Sequence, residues 1–208
     1  GIRDRDVTGV QTCALPISDK HNAVSMEMWQ SVPMAIDAFT KDPDVRVVIL
    51  KGAGEKAFVS GADISQFKER RSSPEAVAEY NATSDRAGEA LRGCAKPTIA
   101  MVRGYCIGGG TATATNCDIR IAADDAKFGV PAGKLGLGYR YGGVKRLTGL
   151  VGPQFTAEIF FTARQFNAQE ALAMGLVNRV VAVADLEKYV REYADAIGRN
   201  APLTLAAV

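Results

Sequence analysis

The chain has 208 residues, 47% of them hydrophobic, and its 25 lysines and arginines against 23 aspartates and glutamates give a formal charge of +2. That apolar share suits one soluble globular domain with a sizeable core, and so balanced a charge makes no case for a nucleic-acid partner. No apolar run approaches the length that spans a bilayer, and the N-terminus lacks the charged-then-apolar layout of a secretory signal, so no membrane partner and a cytoplasmic location are expected.

In chain order, residues 1–18, GIRDRDVTGVQTCALPIS, hold no sustained period of two or 3.6. They resemble the translation of a sequencing adaptor, so a non-native leader is expected there and the domain proper at 19–208; a divergent first strand is the other reading. Ser25 is placed to cap a helix whose Met26, Trp29, Ala35, Ile36 and Phe39 share one face, with Pro33 expected to kink it or start a second piece. After the turn at Asp42, Pro43 and Asp44, residues 45–50 read as a strand buried on both faces. This order favours an α/β architecture.

Residues 66–73 are polar, carrying Lys68, Glu69, Arg70 and Arg71, and read either as a mobile loop or as a merely solvated segment. Pro74 begins a helix in which Val77, Tyr80, Ala87 and Leu91 recur at helical spacing, a stripe expected in the core. Near the C-terminus, Asn167 and Glu170 stand at capping-box spacing before a helix that Gly175 closes. Residues 176–181 read as a short strand, and Asp185 is placed to cap a last amphipathic helix through Leu186, Tyr189, Val190, Tyr193 and Ile197.

Cys13, Cys94, Cys106 and Cys117 show no CxxC spacing, so reduced, buried thiols are expected rather than bridges or metal ligands. His21 is the only histidine. A Ser-His-Asp or Cys-His hydrolase would depend on that one residue, and a zinc site would lack its usual ligands.

The chemistry concentrates in residues 96–129, where an apolar run enters Gly108, Gly109 and Gly110 and small residues follow up to a second β-like run at 118–122. Backbone without Cβ atoms can approach a ligand closely, and amides that open a helix stabilise a developing oxygen anion. By itself such a turn serves equally as a phosphate cradle or a tight packing turn, although GxGxxG spacing and a following Gly-Lys-Ser/Thr are both absent. Upstream, the strand at 45–50 leads through Gly52 and Gly54 to Ser60, Gly61, Ala62, Asp63 and Ile64.

Together the GADI stretch and the GYCIGGG stretch with its CDIRIA strand resemble the crotonase family, also called the enoyl-CoA hydratase/isomerase family, over residues 19–208. The resemblance implies a crotonase-like α/β spiral of strand-strand-helix turns, assembled as a trimer or a dimer of trimers and truncated at both ends. It implies an acyl-CoA substrate, with coenzyme A present only as part of that substrate, and no further cofactor or metal. Carried over by position, Ala62 and Gly109 supply the two backbone donors to the thioester oxygen. Lys20, Ser60, Asp63, Ile64 and Gly108 fall at substrate-binding positions, Asp63 more readily as a structural hydrogen-bonding partner than as a base.

One departure stands out. The hydratases carry one glutamate two residues after the GGG and another after the proline of FGxPE, where this chain has Ala112 and Ala132. Each such acid/base role is worth roughly 10²- to 10⁴-fold in rate. The chain is therefore expected to catalyse another family reaction, to be a weak hydratase or isomerase, or to bind acyl-CoA without turnover. Tyr139 and Arg140 occupy the loop where other members place alternative chemistry, and a methylmalonyl-CoA decarboxylase-like member has a tyrosine at about Tyr139. The competing expectation is that Tyr139 and Tyr141 pack under the glycine turn while Arg140 faces solvent.

Overall fold

A repeated handover of the chain from one sheet to another sets the plan of the molecule. In the computed structural model, residues 3–5, 10–15, 21–62 and 73–207 are described. The strands are β1 (Arg3–Arg5), β2 (Val10–Leu15), β3 (Val47–Gly52), β4 (Ala57–Val59), β5 (Thr98–Val102), β6 (Tyr105–Ile107), β7 (Ile119–Ala123), β8 (Lys127–Gly129), β9 (Phe166–Asn167) and β10 (Arg179–Val181). The helices are α1 (Met26–Lys41), α2 (Pro74–Arg92), α3 (Gly109–Thr115), α4 (Tyr141–Thr162), α5 (Ala168–Ala173), α6 (Leu186–Gly198) and α7 (Pro202–Ala206). One sheet has the order β1-β2-β3-β5-β7-β10 and the other β4-β6-β8-β9. Thus β3, β5 and β7 lie in the large sheet, and the strand after each of them, β4, β6 and β8, lies in the small one.

All the pairings from β2 across to β10 are parallel, as are β4 with β6 and β6 with β8. Period-two alternation serves both faces of the large sheet. Val47, Ile49, Ile99, Met101, Ile121 and Ala123 pack with Leu186, Val190 and Ala194 of α6. Their neighbours Val48, Leu50, Ala100, Val102 and Ala122 enter the main core beneath α1, α2 and the small sheet. Strands covered on both faces account for the unbroken apolar runs in the sequence.

Most local signals act as expected. Ser25 Oγ accepts the Met28 amide at 3.3 Å, Ser73 caps α2, and Asn167 and Glu170 form a complete capping box. Asp118 braces two strand starts, its Oδ2 accepting from the Thr98 amide at 2.8 Å while the Thr98 hydroxyl accepts the Asp118 amide at 2.9 Å. Two expectations fail. Helix α1 runs on through Pro33, because its buried Met28, Trp29, Ile36 and Phe39 hold both halves to one core and outweigh the one lost backbone bond. Asp185 precedes α6 but makes no side-chain cap bond, since a 3-10 turn at Val183–Asp185 leads directly into the helix.

The stretch set apart in the sequence, residues 1–18, contributes backbone to the large sheet: β1 pairs antiparallel with β2, and β2 parallel with β3. Cys106 and Cys117 are buried and unbridged, and Cys94 is free and half-buried. Burial pushes the Cys106 thiol well up and the Cys117 thiol to about 12, so both stay protonated and unreactive. Among the described residues, no helix is long and apolar enough to cross a membrane.

Candidate active site

Two loops leave the C-terminal ends of neighbouring parallel strands in the small sheet. Strands β4 and β6 pair with Val59 opposite Cys106. Ser60, Gly61 and Ala62 follow the first, and Gly108 and Gly109 the second. The turn at 21–24 staples the first loop: the Ser60 amide donates to His21 O at 3.2 Å, the Val24 amide to Gly61 O at 2.8 Å, and Val24 bridges to Ala62. The second loop is fastened to β8, with the Gly108 amide donating to Gly129 O at 2.8 Å. Buried Thr111 locks the same corner, its hydroxyl lying 2.7 Å from Cys106 O and 3.1 Å from Gly129 O.

Each of the three glycines has its own physical reason. Gly108 takes φ 55°, a left-handed conformation that strains side-chain-bearing residues. Gly110 lies against β4, where a Cβ would be driven into the carbonyl oxygen of Val59. Gly109 has room: a Cβ built there meets Trp29 Cζ2 at 3.7 Å, Gly61 C at 3.9 Å and the Ala62 nitrogen at 4.0 Å. The Cβ side of Gly109 therefore lies near both the Ala62 nitrogen and an indole edge. As the first residue of α3, Gly109 has an N–H with no intrahelical acceptor. The Ala62 N–H has no acceptor among the described residues.

An aromatic wall starts at Trp29. The Trp29 indole N–H donates to Tyr80 Oη at 3.4 Å, linking α1 to α2. Tyr139 meets Phe160 edge-on at 4.9 Å between ring centroids. Burial raises the Tyr139 phenol above its usual value, nearby Tyr80 adds to the rise and Arg140 opposes it, so the hydroxyl stays protonated. Arg140 turns to α2, pairing with Asp85 and donating to Ser84 Oγ at 3.2 Å and Asn81 O at 3.4 Å. Its guanidinium is thus engaged beside Tyr80, where it ties the loop carrying Tyr139 to the helix carrying Tyr80.

Ala112 is half-buried on α3, and Ala132, at 6% exposure, belongs to the core in the 3-10 turn Pro131–Leu135. Neither methyl can carry a proton. Lys20, Asp63 and Ile64 lie outside the described residues. Among the described residues, no three His, Cys, Asp or Glu side chains gather where they could hold a metal ion. Sequence reasoning missed the Trp29–Tyr80 contact, assigning both residues to core stripes. The available signal was their polar tips, since a Trp N–H or Tyr O–H at the core edge calls for a partner.

The sequence profile described as Enoyl-CoA hydratase/isomerase matches residues 7–208. Short-chain-enoyl-CoA hydratase of Clostridium acetobutylicum is 39% identical over 184 residues, 88% of this chain and 70% of that protein. Carnitinyl-CoA dehydratase of Proteus mirabilis is 37% identical over 189 residues, 91% of this chain and 71% of that one. A solved enoyl-CoA hydratase/carnithine racemase from Magnetospirillum magneticum is 35% identical with TM-score 0.94, over 98% of this chain and 79% of the other. The Enoyl-CoA Hydratase from Bacillus anthracis is 33% identical with TM-score 0.92, over 99% and 79%.

Proposed function

Since the chain belongs to the enoyl-CoA hydratase/isomerase family, we propose that it acts on an acyl-CoA thioester whose carbonyl oxygen is shared by the amides of Ala62 and Gly109. The observation that carries this is the 4.0 Å between the Ala62 nitrogen and the Cβ position of Gly109. An oxygen seated there accepts two N–H donors while negative charge grows on it, and removal of one such donor typically costs about 10²- to 10³-fold in rate. Enolate stabilisation needs no side chain, so it is compatible with alanine at 112 and 132. Hydration by the two-carboxylate route is not, because water activation and proton delivery to Cα both need a titratable group.

A second reading, decarboxylation of a branched malonyl thioester, rests on the phenol of Tyr139, which stands near Tyr80 in the loop before α4. Loss of carbon dioxide leaves the electron pair on Cα as an enolate, and a neutral phenol can return the proton. Binding of acyl-CoA without turnover is the third outcome. Ser60 and Gly108 shape the two loops around the thioester, and a homotrimer or dimer of trimers is the proposed assembly.

Gly109→Pro is the test. Proline is tolerated at the first helical position and replaces the amide hydrogen, which has no intrahelical acceptor, with a ring carbon. Wild type should consume an enoyl-CoA or malonyl-type CoA thioester in a product screen, with the variant about 10²- to 10³-fold slower. Equal rates in a folded variant would remove the oxyanion assignment. Hydratase activity gained by Ala112→Glu with Ala132→Glu would show that the missing proton carriers alone separate this chain from a two-carboxylate hydratase.

A further inference from the structure

The far end of α3 is gripped by arginines. Arg146 of α4 donates from Nε to Thr115 O at 2.7 Å. Arg120 of β7, only 4% exposed, donates from its guanidinium to Cys117 O and to Leu176 O, both at 2.8 Å. Arg92, in the last turn of α2, reaches the capping residue Asn116, with Nη1 2.9 Å from Oδ1. Neither Arg120 nor Arg146 has a carboxylate of a described residue within 4.0 Å. Burial lowers the Arg120 pKa and neighbouring Arg146 adds to the fall, while Cys117 and Asp118 oppose it. Two cations, neither in an ion pair with a described carboxylate, are thus held at the carbonyl end of the helix whose first amide is Gly109.

We infer that Arg146 is a positioning and tuning residue for the Gly109 amide: its bond to Thr115 O fixes α3 against α4, and its charge strengthens the polarisation felt at the other end of the helix. This rests on the oxyanion role given to Gly109 above. Seven residues of helix span about 10 Å, and Gly110, Thr111, Thr113, Ala114 and Thr115 along it are buried, so water screens the half-buried guanidinium less than it would a surface charge. An enolate gains from that field and a neutral thioester hardly does. Arg146 serves the test better than Arg120, whose removal would leave the buried carbonyls of Cys117 and Leu176 to find new partners.

Two coenzyme A thioethers of equal length provide the readout: one with a neutral alkyl group, the other with a nitroalkyl group presented as its nitronate, which carries the enolate's charge. Calorimetry gives the ratio of their affinities on each full-length variant, and that ratio cancels any loss of folded protein or of coenzyme A binding. Wild type should prefer the nitronate. Arg146→Gln, which keeps a donor without the charge, should lower the preference roughly five- to tenfold, and Arg146→Lys should retain it. A Gln variant with the wild-type preference, or a Lys variant as weak as Gln, overturns the assignment and leaves the oxyanion reading in place. A wild-type protein that binds both thioethers equally removes the oxyanion reading and this inference with it.

Discussion

The glycine corner at 108–111 and the wall formed by Trp29, Tyr80 and Tyr139, which touch at Trp29, are built on opposite terms. At the corner, almost every position is fixed by contact with another backbone, and the proposed chemistry belongs to main-chain amides. Gly110 abuts the Val59 carbonyl, and Thr111 serves two carbonyls from neighbouring strands. Along the wall, side chains meet through their tips and edges, at 3.4 Å between Trp29 and Tyr80 and 4.9 Å between Tyr139 and Phe160. If the proposed amide pair is right, side chains such as those at 112 and 132 can differ without disturbing the backbone that supplies it.

Substitutions should expose the contrast. The largest effect is expected from Gly110→Ala, because a backbone oxygen cannot step aside as a side chain can; about 3 kcal/mol of stability should be lost. Thermal unfolding would register this as a fall of roughly 6–12 °C. A variant as stable as wild type would mean that α3 can slide on β4. Next comes Thr111→Val, which keeps the shape and removes the hydroxyl from two buried carbonyls, at a cost of about 1–3 kcal/mol in a denaturant titration. Tyr80→Phe should cost about 1 kcal/mol, since the Trp29 indole N–H loses its acceptor at the core edge. Smallest is Asp85→Asn, a few tenths of a kcal/mol, because both partners of the Arg140 pair are about half exposed. If Asp85→Asn proved as damaging as Thr111→Val, the wall would be as tightly specified as the corner.

The amino-acid order carries the corner plainly and the wall hardly at all. GADI and GYCIGGG are contiguous strings whose small residues report a backbone requirement, and the family resemblance they carry assigns Ala62 and Gly109 by position. The wall joins residues 29, 80 and 139, which meet only after three helices or loops have packed. Helical periodicity places Tyr80 on an inward face without saying what its hydroxyl touches. Arg120 and Arg146 are hidden for the same reason: a buried cation served by main-chain carbonyls has no complementary acidic residue in the sequence to announce it. Pro33 illustrates the opposite error, a strong local rule overridden by core packing.

Because β4 and β6 are adjacent parallel strands, the loops they feed start from a fixed lateral interval of roughly 4.8 Å. That interval is close to what two amides need to converge on one atom, so the ladder acts as a ruler that no side-chain replacement can recalibrate. Where that spacing serves the proposed pair of amides, exchange of acids and bases elsewhere in the site leaves it in place.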